Sequence, residues 1–182
     1  MKKSGKSLAA KRRLISDEKK SKRSGVIPAV APSQEQLINL LGHYQAEQYG
    51  QAEAISMALS NQYPQHPFAW KVLGAIFMSQ GKYQEALEPT RRSVKLSALD
   101  SDSHLNLGAV LRELGQLDDA EKSCREAIRL KSDNALAHFN LGLTLQDLKK
   151  LAQARDCYEQ ALAIEPHQIS ALLNLSALLL DL

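Results

Sequence analysis

The five residues His104-Leu105-Asn106-Leu107-Gly108 return thirty-four positions later as His138-Phe139-Asn140-Leu141-Gly142, and Leu172-Leu173-Asn174-Leu175-Ser176 follows after thirty-four more. That period restricts what the chain can fold into more than its composition does. One period holds a pair of short helices but cannot enclose a core, so each unit must bury its apolar face on its neighbours. Taking 101–134 as a reference unit puts Gly108 at the eighth position, Ala120 at the twentieth and Ala127 at the twenty-seventh.

Shifting the grid by one period tests it. Unit 135–168 returns Gly142, Ala154 and Ala161 at those positions, with Pro166 at the thirty-second. Unit 67–100 returns Gly74 and Ala86, with Trp70 at the fourth position, Phe77 at the eleventh and Tyr83 at the seventeenth. Unit 33–66 is the most diverged; it has Leu40 in place of the glycine but keeps Tyr49, Ala52 and Pro64 in register. The residues from Ile169 to Leu182, seven of them leucine, read as the first helix of a fifth unit. An apolar stripe of Leu172, Leu175, Leu178 and Leu179 is then left partly uncovered. Either the chain is a piece of a longer product or this end docks on another copy.

Each unit is expected to carry a first helix over its first fourteen or so positions and a second over positions 18–31, which makes the fold all-α. Small residues at positions 8 and 20 let the two helices approach closely, and large ones at 4, 7, 11 and 24 fill the space between turns. Trp70, Leu107, Leu145 and Tyr158 are such fillers. Ser33, Asp100 or Ser101, and Ser132-Asp133-Asn134 stand where first helices need N-caps. Pro89 falls early in a second helix and removes a hydrogen bond to the Glu85 carbonyl, which predicts a bend or a delayed start there.

These offsets resemble the tetratricopeptide repeat family over residues 33–182. The resemblance implies a helix-turn-helix solenoid wound as a right-handed superhelix, here with four repeats (33–66, 67–100, 101–134, 135–168) and a partial fifth (169–182). It further implies a concave groove lined by first helices, with positions 2, 5, 6, 9, 12 and 13 facing it and a protein or peptide as ligand.

Charge is divided unevenly along the chain. Residues 1–32 hold ten Lys and Arg against Asp17 and Glu18, a balance of +8, whereas residues 33–182 hold 13 basic against 18 acidic groups, a balance of −5. The first stretch lacks apolar periodicity and is expected to be a disordered basic tail. It is either a solvated appendage or a contact for an anionic surface, nucleic acid or anionic lipid. Within it Ser4-Gly5-Lys6-Ser7 imitates a phosphate-binding loop but lacks the earlier glycine and the preceding strand that such a loop needs. Neither a secretory signal nor a membrane span is read there, because Val26-Ile27-Pro28-Ala29-Val30 is short and broken by proline.

Two cysteines, Cys124 and Cys157, make no disulfide framework and have no zinc-site spacing, so a reducing, cytoplasmic setting is the expectation. His104 and His138 belong to different units and occupy the packing slot that Trp70 fills, which argues for packing over metal binding. Without a phosphate loop, a paired-carboxylate motif or a nucleophile elbow, these residues are not expected to form an enzyme or to hold a cofactor.

The recurring asparagines call for another reason, because Asn is a mediocre helix former. Asn106, Asn140 and Asn174 all fall at position 6. An amide both donates and accepts, so a column of them can pair with the backbone of an extended peptide without reading its side chains. The alternative is that these amides only bond within or between repeats.

Such a ladder, together with Pro67-Phe68-Ala69-Trp70-Lys71-Val72-Leu73-Gly74, is similar to the repeat arm of bacterial SPINDLY-type O-GlcNAc transferase-like proteins. Here it starts only at the third unit, since Ile38 and Val72 hold position 6 earlier. A carboxylate clamp like that of chaperone adaptors is matched by Lys71 and Asn106. Ala75, Leu136 and Asn140 stand where it requires Asn, Lys and Arg. Lys71, Arg112 and Gln146 complete the expected polar groove, the last two at position 12.

Overall fold

A computed structural model of the protein describes residues 31–180. The basic stretch 1–32, with its expected disorder and its anionic partners, lies almost wholly outside the described residues.

The helices begin where the sequence offers a cap. Ser33 accepts the Gln36 N–H while the Gln36 side chain takes the Ser33 N–H, a reciprocal box that starts α1 (Gln34–Gln45). There follow α2 (Tyr49–Gln62), α3 (Pro67–Ser79), α4 (Tyr83–Leu96), α5 (Ser101–Glu113), α6 (Leu117–Leu130), α7 (Ala135–Asp147), α8 (Leu151–Ile164) and α9 (Ile169–Leu180). The described residues form no strand. First and second helices thus alternate on the 34-residue grid, within a residue or so of the expected bounds.

The turn inside each repeat is the same device four times. Glu47, Gly81, Gly115 and Lys149, all at position 15, have φ of 57°, 71°, 73° and 62°. In each repeat the next N–H returns to the position-11 carbonyl, as Gln116 N to Leu111 O at 2.8 Å. Glycine takes this left-handed conformation freely; Glu47 and Lys149 take it at a cost.

Of the two outcomes expected at Pro89, the delayed start needs correction. α4 does not start late at Pro89: it begins at Tyr83, in register with Tyr49, Leu117 and Leu151, and runs through the proline unbroken. The start is set by the preceding turn, where Lys82 N bonds Phe77 O and Ala86 N bonds Lys82 O. Glu85, whose carbonyl Pro89 leaves without its helical partner, is an exposed residue, while Pro89 itself is buried.

Packing explains the repeated small residues. An added Cβ would lie 2.6 Å from Thr90 Cγ2 at Gly74, 2.6 Å from Cys124 Sγ at Gly108 and 2.5 Å from Tyr158 Cε1 at Gly142. Each glycine at position 8 therefore receives the position-24 side chain of its own second helix. The first unit reverses the volumes, with Leu40 at position 8 and Ser56 at position 24, both fully buried.

The apolar core is strung along the stack. Leu40, Ala52, Leu59, Ala69 and Ile76 form one cluster and Cys124, Leu141, Leu145, Ala154, Tyr158 and Leu178 another, with smaller groups between. Each first helix touches the next first helix through α7, whereas among the described residues no second helix makes a comparable contact with the next second helix. First helices therefore line the inner side of the curve.

The two ends of the stack differ. On α5 the offsets 3 and 7 meet the preceding second helix, since Ser103 bonds Ser93 at 2.6 Å and Leu107 packs with Leu87 and Val94. On α1 the same offsets carry Glu35 and Asn39, both exposed. On α9, by contrast, Ile169, Leu172, Leu173, Leu179 and Leu180 are exposed.

Candidate functional site

A helix turns about 100° per residue, so a side chain two positions before the glycine points about 200° away from it. Because Gly108 and Gly142 face their own second helices, Asn106 and Asn140 face the opposite way, onto the concave side. Both are half-buried. Among the described residues no hydrogen bond joins either amide to the protein, which leaves their donors and acceptors to solvent or a ligand. Asn174 differs, because its Nδ2 donates to the Ser170 carbonyl at 2.8 Å. Two amides of the ladder are thus open and one is partly engaged.

The cations expected beside them are not open. Lys71 Nζ lies 3.1 Å from Asp100 Oδ2 and 3.9 Å from Asp102 Oδ2. Asp100 N-caps α5 by backbone geometry alone, because its carboxylate is taken up by Lys71 and the Ser103 hydroxyl. Burial raises the Asp100 pKa, but the Ser103 and Lys71 hydrogen bonds and the Lys71 charge together outweigh it and the net direction is down. Arg112 Nε donates to Asp147 Oδ2 at 2.7 Å in the next repeat and Nη1 to Glu113 Oε1 at 2.8 Å. Gln146 Oε1 accepts the Tyr158 hydroxyl at 2.7 Å, so this side chain braces the hairpin while its amide N–H groups stay available. Lys71, Arg112 and Gln146 lie on first helices with the asparagines but act within and between repeats. Glu113 and Asp147 escaped sequence reasoning, although a carboxylate at position 13 of both units stands on the same grid as the asparagines.

The histidines have a structural role that the sequence shows only as recurrence. Trp70 Nε1, His104 Nε2 and His138 Nε2 each lie 3.0 Å from the carbonyl six residues earlier, Pro64, Ala98 and Ser132. The carbonyl can only accept, so both histidines carry the proton on Nε2. Each ring ties the start of a first helix to the loop before it. Among the described residues no group of three or more His, Cys, Asp or Glu side chains has metal-binding geometry.

The environment of both thiols disfavours the thiolate. Burial pushes Cys124 up to about 12 and raises Cys157 as well. No helix of the described residues is long and apolar enough to cross a membrane.

Comparison with known proteins agrees with the geometry. Sequence profiles described as tetratricopeptide repeat match residues 41–101 and 99–166. No curated protein sequence matches the chain. Among solved structures, the crystal structure of MamA is similar at 20% identity and a TM-score of 0.68, over 75% of this chain and 80% of that one. Pseudomonas aeruginosa pilF is similar at 24% identity and a TM-score of 0.72, over 81% and 67%. The first TPR of Spaghetti (RPAP3), bound to the HSP90 peptide SRMEEVD, is similar at 25% identity and a TM-score of 0.61, over 64% and 93%.

Proposed function

The chain belongs to the tetratricopeptide repeat family, and from that premise we propose that it binds a protein partner by laying an extended segment of it along the concave face. The observation that carries this reading is the pair of open amides, Asn106 and Asn140, at equivalent places on neighbouring first helices. Packing has no use for them, since their helices are already held by the glycine contacts behind them. Each amide can donate to a peptide carbonyl and accept from a peptide N–H, which secures the backbone and leaves side-chain preference to the flanking residues. Exposed Ile38 and Leu41 on α1, Leu136 on α7 and Leu173 on α9 stand at groove offsets and offer apolar purchase. A neighbour solved with a peptide in place adds support for the ligand class.

The test is binding of a fluorescent peptide library to the wild type and to Asn106→Ala/Asn140→Ala. Losing two charge-free hydrogen-bonding partners should weaken binding about tenfold or more, at about 0.5–1.5 kcal/mol each. Unchanged binding with unchanged helical circular dichroism would remove the amides from the site.

A second reading places the same groove in the substrate-recruiting arm of a larger O-GlcNAc transferase-like protein. Asn at position 6 in three consecutive units favours it. The coding sequence beyond Leu182 tests it: a transferase domain in frame supports the arm, and a stop codon removes it.

A further inference from the structure

Charge on the concave face narrows the partner further, in an inference that rests on the groove reading above. On α5, Asp102, Asn106 and Glu113 are four and seven residues apart and share one face; on α7, Leu136, Asn140 and Asp147 repeat the arrangement. Two cations reach this surface, and each is bracketed by two carboxylates. Lys71 stands between Asp100 and Asp102, and Arg112 between Glu113 and Asp147. Three of the four carboxylates also stand further out than the cations, Asp100 being the exception. Side-chain exposure is 63% for Asp102, 38% for Glu113 and 39% for Asp147, against 28% for Lys71 and 26% for Arg112. In the third and fourth repeats Asp102, Glu113 and Asp147 stand against Arg112 alone, a balance of −2 where the open amides lie.

The first two repeats present a different surface at the same offsets. α1 shows Ile38 and Leu41, and α3 shows half-buried Phe68 and Ala75 beside the buried Val72; the one charged side chain there, Lys71, is turned toward the third repeat by its pairing with Asp100 and Asp102. Packed helices lie about 8–10 Å apart, so α1 to α7 spans roughly 30 Å, or about nine residues of extended chain. We infer that the groove takes an extended peptide about that long, apolar where it crosses α1 and α3 and cationic where it crosses α5 and α7, and that it turns acidic peptides away. The selection comes from charge. A Lys or Arg entering beside Asn106 or Asn140 meets an outward carboxylate whose own counter-ion lies beneath it, whereas an incoming carboxylate meets like charge first. The neighbour that holds the acidic peptide SRMEEVD therefore differs from this chain in ligand charge.

Ten-residue peptide pools with a common apolar half test the inference, the other half being rich in Lys and Arg, in Ser and Asn, or in Asp and Glu. Anisotropy titrations of the full chain at low and at moderate salt should place the basic pool about tenfold tighter than the acidic one, with the gap shrinking as salt rises. In Asp102→Asn/Glu113→Gln/Asp147→Asn the gap should close while the neutral pool binds as before. These side chains are exposed enough that the variant keeps its fold, which circular dichroism checks. Equal affinity for the basic and acidic pools, or a preference for the acidic one, overturns the inference. Neutral-pool binding that Asn106→Ala/Asn140→Ala abolishes, with no charge preference in the wild type, overturns it and leaves the groove reading standing. Failure of every pool to bind removes both.

Discussion

Replacing Gly142 by alanine tests the close helix approach with a single methyl group. The new Cβ would lie 2.5 Å from Tyr158 Cε1, 2.7 Å from Cδ1 and 3.2 Å from Cζ, inside the roughly 3.5–4.0 Å at which carbon pairs rest. The ring has no room to yield. It is fully buried, it packs on Phe139 at 5.8 Å between centroids, and its hydroxyl is held by Gln146 at 2.7 Å. Overpacking costs about 1–3 kcal/mol, and the better helix propensity of Ala returns about 1 kcal/mol. The expected net loss is about 1 kcal/mol. In a Tyr158→Ala background the obstruction is gone, so the same substitution should stabilise by about 1 kcal/mol. The cycle therefore predicts a coupling of about 2 kcal/mol, a size typical of residues in contact. Urea unfolding of the four proteins, followed by far-ultraviolet circular dichroism, measures it. Gly42 is the control, because nothing lies within 4 Å of its would-be Cβ and Gly42→Ala should simply stabilise. If Gly142→Ala stabilises the otherwise wild-type chain as much as Gly42→Ala does, the close-approach reasoning is wrong.

Two further outcomes follow from buried or strained groups. Burial lifts the Cys124 thiol from 9.0 to about 12 and the Tyr158 phenol from 10.0 to about 12, so the folded state favours both neutral forms. Their contribution is whole below pH 9 and is lost as pH rises toward 12, so the urea midpoint should fall across that window, and less steeply in Cys124→Ala. Lys149 holds φ 62° where Gly115 holds 73°; Lys149→Gly should relieve about 1 kcal/mol of left-handed strain and raise the thermal midpoint.

The groove was harder to read than the fold because its residues are defined by what they do not touch. A period of 34 residues reports packing, and packing is what small and large residues at fixed offsets encode. Leu40 in place of glycine is legible in the same terms once Ser56 is seen to surrender the volume. Asn106 and Asn140 were visible as a residue type that packing does not ask for. That Lys71 and Arg112 are largely covered while Asp102, Glu113 and Asp147 stand outward was not visible, since it depends on ion pairs of which two, Lys71 with Asp102 and Arg112 with Asp147, cross repeats.

The sequence by itself determined the helix pairs, their register and the faces that meet, because a side chain's place on the 34-residue grid dictates its neighbour in the stack. Pro89 and the two histidines mark where that ended. A helix start can be set by the turn before it, and a ring nitrogen's partner lies in a loop whose path is not periodic. Tertiary structure alone decided the sign of the concave surface, because net charge at a site depends on which counter-ions the stack brings beneath it.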